Sequence, residues 1–461
     1  MDAVLAAFFF ALLVTTIWFR VRYYRSLIHY DPTRDQAYDF SETDANIFEI
    51  QIGENTFQWP EDAGTCDTAF LEVKFRATII GWWCDPSVEV RCGLSVVRQY
   101  FERGGGGQRY VNASALISEI QAGAKLQLSG SGLRILPGKA RLICFRNSRP
   151  VKPRVLAVSP HPDDAEIAAF RLYSSCDSWV ATATTGEHGG FLIKAFAGND
   201  DLQRTTAELR VWDSITVPQL GGVGPERSIN LCYNDTALTE LFAHPDQPVP
   251  SDALSTVTRH TLRRTNLTPL LRPKEDAFTW KSLVEDFRRL LEEIRPEIIA
   301  TPHPLLDDHP DHALTTVAIC EALAALPELT GNLHLYVTHS RWSAILPVGE
   351  TDGAVSLPPH FGQPTFFRSI CSLPLTRTEQ LRKYLAIEAM HDLRNIPGIR
   401  DESFPQAVRT ILATARGIVT GLRRDPRSFQ RRAVRPNELF FVVPFSEAGR
   451  LRQQWLEERQ P

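Results

Sequence analysis

Val155-Leu-Ala-Val-Ser-Pro-His-Pro-Asp-Asp-Ala-Glu166 is the stretch from which the rest of the chain can be read. Its apolar start, Val155 to Val158, predicts a buried strand. Pro160 and Pro162 stop that strand and stiffen its exit. His161, Asp163 and Asp164 follow, and then a helix-like apolar run from Ile167 to Leu172. A strand that releases an imidazole and carboxylates ahead of a helix is how open α/β sheets present chemistry, at the carboxyl ends of their strands. A second exit of this kind lies far downstream: Glu297-Ile-Ile-Ala-Thr-Pro-His-Pro-Leu-Leu-Asp-Asp-His-Pro-Asp-His312. The two exits are expected to meet in space and hold one metal ion.

Around them, strand-like and helix-like segments alternate. Val155–Val158 leads to a helix over Ala165–Tyr173, and Trp179–Ala183 to the turn Thr184-Thr-Gly-Glu-His-Gly-Gly190. Further helices are expected over Asp201–Ile215, Trp280–Ile294, Ala313–Leu326, Arg377–Leu393 and Gln406–Leu422. Further strands are expected over Glu297–Thr301, Leu333–Thr338 and Glu438–Val443. The alternation predicts an α/β fold, a mostly parallel sheet with helices on both faces. Asn234–Phe278 has weak periodicity and reads as an insertion or substrate loop.

Upstream the pattern changes. Phe70–Ile80, Val88–Cys92, Lys125–Leu128 and Ala140–Phe145 read as short strands, and Gly104–Gly107 and Ser129–Gly132 as turns. They predict a β-sandwich-like accessory domain at 47–148, closed by the proline-bearing boundary Ser148–Pro153 before a catalytic domain at 153–461. Trp82 and Trp83 read as core or interface residues, with a sugar-stacking platform as the alternative. At the N-terminus Ala3–Phe19 carries no charge, and Arg20, Arg22 and Arg25 follow at once. This predicts an uncleaved single-pass transmembrane anchor at 1–25, a juxtamembrane linker at 26–46 and a cytoplasmic catalytic domain.

With 461 residues the chain has room for two to three domains. Its net charge of −4 gives no basis for nucleic-acid binding. None of the eight cysteines forms a Cys-x-x-Cys pair, so they are expected as isolated reduced thiols.

The two exits carry the chemistry. A catalytic Zn2+ uses three protein ligands and an open water position. His161 and Asp164 can reach one ion from a tight turn, and His312 joins them from the first turn of a helix. Asp163 stands beside the ligand pair as a base that is not itself a ligand. His309 is expected to act as proton donor or oxyanion stabiliser, cationic and oriented by Asp311. Glu166 is expected to brace the first exit, and Asp307 and Asp308 to be exposed or helix-capping. His303 and His188 stay open between structural and substrate-facing roles.

Pro160-His-Pro-Asp-Asp-Ala-Glu166 together with His309-Pro-Asp-His312 resembles the zinc-dependent N-deacetylases of the LmbE-like, or PIG-L, family. Thr184-Thr-Gly-Glu-His-Gly189, Arg204 with Glu208, and Asp235 to Leu238 resemble further family segments. The resemblance implies a Rossmann-like fold, with His161, Asp164 and His312 as zinc ligands, Asp163 as general base and His309 with Asp311 as helpers. It implies removal of an N-acetyl group from an amino sugar. Zn2+ is the expected cofactor, with another divalent transition metal as the alternative. With the anchor, the expected substrate is a small or lipid-linked amino sugar, such as a glycolipid or polysaccharide precursor. The alternatives are hydrolysis of a non-sugar amide such as a thiol conjugate, and a non-catalytic sugar-binding membrane protein.

Overall fold

A computed structural model of the chain describes residues 2–147, 150–188, 199–249, 254–270, 278–362, 364–391, 393, 415 and 432–459. The helix expected over Gln406–Leu422 falls outside these residues except at one position, as do Ser148, Arg149 and the end of the turn at Gly189.

The first half builds two antiparallel sheets. Their strands are β1 (Asn46–Ile52), β2 (Thr56–Gln58), β3 (Thr68–Ala77), β4 (Ser87–Cys92), β5 (Ser95–Tyr100), β6 (Gly106–Asn112), β7 (Lys125–Ser131), β8 (Leu133–Ile135) and β9 (Gly138–Phe145). One sheet runs β1-β9-β3-β6, with β8 paired to β3, and the other β2-β7-β4-β5. Val73, Phe75, Val90, Leu126, Leu128 and Leu142 fill the space between them. Strand β3 stops at Ala77, short of the expected Ile80. Ile79–Trp83 is instead a short helix (α2), seated where Gly81 meets Gly132 so closely that a Cβ would lie 2.0 Å from the Gly132 carbonyl oxygen.

The second half is a seven-stranded sheet. In chain order its strands are β10 (Arg154–Ser159), β11 (Asp177–Thr184), β12 (Ser228–Tyr233), β13 (Ile298–Pro302), β14 (Asn332–Tyr336), β15 (Ser369–Pro374) and β16 (Asn437–Pro444). In space they run β12-β11-β10-β13-β14-β16-β15. The first five are mutually parallel, but β16 pairs antiparallel with both β14 and β15. The sheet is therefore mostly parallel, as expected, and mixed through the antiparallel pairings of β16.

Strand β10 lies in the middle, so both faces of its apolar run are covered, as a central parallel strand requires. Leu156 and Val158 pack with helices Trp280–Ile294 and Pro310–Ala324. Val155 and Ala157 pack the other way, on Phe170, Leu172 and Tyr173 and on Ala386 of helix Arg377–Ala389. Each such buried side chain contributes roughly 1.5–3 kcal/mol. The helix at Trp280–Ile294 follows its sequence pattern: Leu283, Phe287, Leu290, Leu291 and Ile294 are buried, and Thr279 and Ser282 form a reciprocal capping box. It ends where Arg295 turns left-handed (φ 48°) ahead of Pro296.

The two halves are welded together. Phe70, Tyr110, Ile143 and Phe145 on the outer side of the β3 sheet share one core with Phe367, Ile370 and Phe441. The expected linker is part of this seam: Tyr38 and Phe40 are buried in it, and Tyr38 stacks on Phe441.

The transmembrane expectation is corrected. Asp2–Ser26 is one helix (α1), but among the described residues no helix is long and apolar enough to cross a membrane. Its end is docked on the protein. Tyr24 is buried, its hydroxyl accepts the Arg103 N–H, and the Arg103 guanidinium lies over its ring. Ile28 is buried next, bridging to Ser343.

Candidate metal centre

Parallel pairing of β10 with β13, Leu156 opposite Ile299, brings the two exits side by side. The first turn is tied by the Ser159 hydroxyl, which donates to the His161 carbonyl and accepts from the Ala165 N–H. Asp164 Oδ2 accepts the His161 N–H at 3.0 Å, which fixes the carboxylate over the turn. His312 arrives from the first turn of helix Pro310–Ala324, for which His309 is the N-cap: its Nδ1 accepts the Asp311 N–H.

Three donor atoms then converge. His161 Nδ1 lies 3.2 Å from His312 Nε2 and 3.4 Å from Asp164 Oδ2, and His312 Nε2 lies 3.2 Å from Asp164 Oδ2. All three residues are buried. Bonds of about 2.0–2.2 Å at the tetrahedral angle place zinc donors about 3.3–3.6 Å apart. The triangle has the size of one face of such a tetrahedron. Two imidazole nitrogens and a carboxylate are also the donor types that Zn2+ takes, so these residues fit the ion.

The electrostatics follow from that convergence. Burial opposes charge on His312, but Asp164 and Asp307 outweigh it and pull its pKa up to about 10. Burial likewise opposes charge on His161, and Asp164, Asp235 and Asp311 raise it well above the usual range. Asp164 is held well below the usual carboxylate range: His312 and His161 overcome its burial. His309 goes the other way. Burial, then the positive charge of His312 and His161, lowers it to about 4.

His309 is close to the triangle, its ring centroid 4.7 Å from that of His161 and 4.9 Å from that of His312. Burial and those two charges favour the neutral ring, where a cationic one was expected. The expected Asp311 carboxylate–His309 bond is not formed either. Asp311 Oδ2 accepts the Thr236 N–H at 2.7 Å and lies 3.5 Å from His161 Nε2. Asp311 thereby holds Thr236 at φ 62°, a rare backbone conformation for a β-branched residue. Asp163 is on the rim of the site, where Arg210 Nη2 approaches its Oδ1 at 3.5 Å.

Several residues of the site were not singled out from the sequence. Asp307 is buried, not exposed: Oδ1 lies 3.2 Å from His312 Nδ1, and Oδ2 accepts the N–H groups of Thr338 and His339. Metal-bound histidines commonly donate their second ring N–H to such a carboxylate. Asp308 is exposed, as expected. Asp235 Oδ1 stands 3.0 Å from His161 Nε2. Its own N–H is taken by Glu187, which Thr185 also contacts. Arg204 and Glu208 form an exposed ion pair, and the arginine of that helix that reaches the site is the buried Arg210, bonded to the Gly186 and Pro162 carbonyls. Glu166 receives the Tyr173 hydroxyl, and burial pushes it up to about 8. His303 stays out of the site, buried against Phe441 and lowered to about 3 by burial. His188 is exposed at the rim, Nδ1 3.7 Å from Asp235.

Residues 156–323 match the family described as PIG-L, GlcNAc-PI de-N-acetylase. No curated protein matches the chain. Among solved structures, the N,N'-diacetylchitobiose deacetylase of Pyrococcus horikoshii is 17% identical, with 64% of this chain and 85% of that one covered and a TM-score of 0.34. The A40926 pseudoaglycone deacetylase is 14% identical, with 63% and 98% covered and a TM-score of 0.35. The 4-carboxy-2-hydroxymuconate hydratase of Pseudomonas putida KT2440 is 13% identical, with 63% and 96% covered and a TM-score of 0.33.

Proposed function

Taking residues 156–323 as a PIG-L domain, we propose that this chain is a metal-dependent hydrolase that removes the acetyl group from an N-acetylated amino sugar. The observation that carries the reading is the buried triangle of His161 Nδ1, Asp164 Oδ2 and His312 Nε2, each pair 3.2–3.4 Å apart. A divalent ion held by these atoms, Zn2+ or another transition metal, would polarise the amide carbonyl and acidify a water.

The chain's own residues supply the rest. Asp163 takes the proton of the attacking water and returns it to the leaving amine. Arg210, with Nη2 3.5 Å from its Oδ1, aims it. Burial favours the neutral form of His309, and its Nδ1 already accepts the Asp311 N–H. Its proton therefore sits on Nε2, where it stabilises the developing oxyanion without carrying full charge. Asp311 acts through Thr236 and His161 rather than through His309.

We assign the catalytic domain to 153–461 and the accessory domain to 47–148. A lipid-linked substrate met at a membrane surface is part of this proposal; α1 does not provide a span among the described residues, and the support is the arginines Arg20, Arg22 and Arg25 that follow Ala3–Phe19 and suit anionic headgroups. Removing residues 1–25 is expected to slow turnover of a lipid-linked amino sugar and not of a soluble one; equal turnover of both would remove that part.

The central test is acetate release from N-acetyl amino sugars, measured together with metal content. Asp163→Asn is expected to keep the metal and lose at least about a hundredfold in rate. A wild-type protein that holds metal and releases no acetate from any amino sugar would overturn the reading.

A further inference from the structure

Exposed large apolar side chains are scattered over the protein, Leu94, Val151, Trp212 and Leu267 among them, but on α2 three of them stand within four residues. Ile79 is 82% exposed, Ile80 65% and Trp82 44%. All three are on α2, which nothing in the described residues covers on its outer side. The end of α1 lies against it: the Arg25 guanidinium sits over the Trp82 ring at 5.3 Å, and Arg22 sits over Trp18 at 5.1 Å. Trp18 is itself 56% exposed.

The surroundings are basic. Arg76 is on the strand that leads into α2, and register places it directly opposite Arg134 of β8. Like charges facing each other across strands are unfavourable unless an anion lies between them. Lys74 is two residues earlier on the same outward face. The Gly81–Gly132 contact holds the β7–β8 turn against α2, and Gly104 N–H donates to the Gly81 carbonyl, so these pieces form one rigid surface. Among the described residues no salt bridge joins Lys74, Arg76 or Arg134 to a carboxylate, and Arg25 acts on the Asp31 carboxylate only through its charge, which helps to lower it.

We infer that this surface, α2 with the end of α1 and the outer side of β3 and β8, docks on an anionic phospholipid bilayer. Isoleucines enter the acyl boundary, Trp82 and Trp18 take the headgroup level, and the arginines face lipid phosphates. A polyanion such as RNA would satisfy the arginines but not the two exposed isoleucines, which is why a bilayer fits better. The surface belongs to the accessory half, not to the metal centre. It gives that half a role: to seat the enzyme on the membrane. The inference extends the membrane side of the proposed function and is independent of the deacetylation chemistry.

The test uses the full chain in co-sedimentation with phosphatidylcholine vesicles, with and without about 30% phosphatidylglycerol. Wild type is expected to partition onto the anionic vesicles and to be released by salt. Ile79→Glu with Ile80→Glu, and separately Arg76→Gln with Arg134→Gln, are each expected to weaken partitioning about tenfold. Both variants should melt as wild type and turn over a soluble N-acetyl sugar at the wild-type rate. Vesicle binding unchanged in both variants overturns the inference. So does single-stranded RNA binding that competes with vesicles and ignores the isoleucine changes. Loss of vesicle binding alone leaves the deacetylase reading in place, and loss of acetate release in wild type leaves the docking surface in place.

Discussion

Asp307→Asn tests how the third ligand is oriented. Asp307 has two sides: Oδ1 faces His312 Nδ1 at 3.2 Å and accepts the His309 N–H at 3.2 Å, while Oδ2 accepts the Thr338 and His339 N–H groups at 2.8 and 3.1 Å. This pattern assigns a proton to Nδ1 and leaves Nε2 free for the metal. Asparagine cannot serve both. If its oxygen keeps the two backbone N–H groups, its NH2 turns on Nδ1. The ring must then accept there and carry its proton on Nε2, the nitrogen that faces Asp164. If the amide turns round, two buried N–H donors lose their acceptor, at about 1–3 kcal/mol. Loss of such a carboxylate behind a metal-bound histidine weakens metal binding about 10- to 100-fold, or ~1.4–2.8 kcal/mol. The assay is competition between metal-stripped protein and a chromogenic chelator, with a thermal melt to confirm the fold. A D307N protein that melts as wild type and binds metal within about twofold of it would refute the reasoning.

Metal uptake should release protons. His161 and His312 are both raised in the metal-free protein, His312 to about 10, so at neutral pH the metal must displace what they hold. Affinity should therefore climb about tenfold per pH unit for each proton displaced; calorimetry in buffers of different ionisation heat would show it, and a pH-independent affinity would rule it out. In the same metal-free protein, Glu166 has a folded pKa of about 8, above its unfolded value of about 4.3. The folded state binds the extra proton between those values, so this stability is present below pH ~4.3 and lost as pH rises toward 8. Denaturant melts should show Glu166→Gln gaining on wild type by ~3–5 kcal/mol across that window, and parallel pH profiles would contradict it. Lys383 and Glu438 form a buried ion pair at 2.7 Å. Lys383→Met, which strands the carboxylate, should cost about 3–5 kcal/mol in a urea melt, and a loss below about 1 kcal/mol would show the Arg171 and Leu172 N–H groups suffice for Glu438.

What could be read from the sequence was what needs no partner to be seen. Val155–Val158 and Ile298–Thr301 are buried on both faces, so their apolar runs are continuous, and the histidines and carboxylates after them stand out. Two strands of the same sheet were not anticipated. In β12, Asn230 is buried yet satisfied by the Thr184 carbonyl and Ser214. In β15, Ser372 accepts from Asn112 and its N–H donates to Thr68. Polar residues of this kind read as loop until their partners, more than a hundred residues away in the case of β15, are in place. Asp307 was missed for the same reason: a carboxylate looks exposed unless the ring it faces is known. The N-terminal run misled in the opposite direction. Its composition alone suggested a span, whereas Tyr24 and Ile28 dock its end on the protein.

The position of β16 has a consequence for how the chain is made. Residues 437–444 are translated after both β14 and β15, yet they occupy the interior place between them. Until they arrive, β14 has an open edge and β15 has no neighbour in its sheet. Open edges of this kind recruit other chains. The β15 strand also holds the seam with the first half through Thr68 and Asn112. The nascent protein therefore keeps an open sheet edge from β14 until residue 437 is translated, and release stalled before that residue should leave a chaperone-bound, protease-sensitive chain although every metal-binding side chain has already been translated.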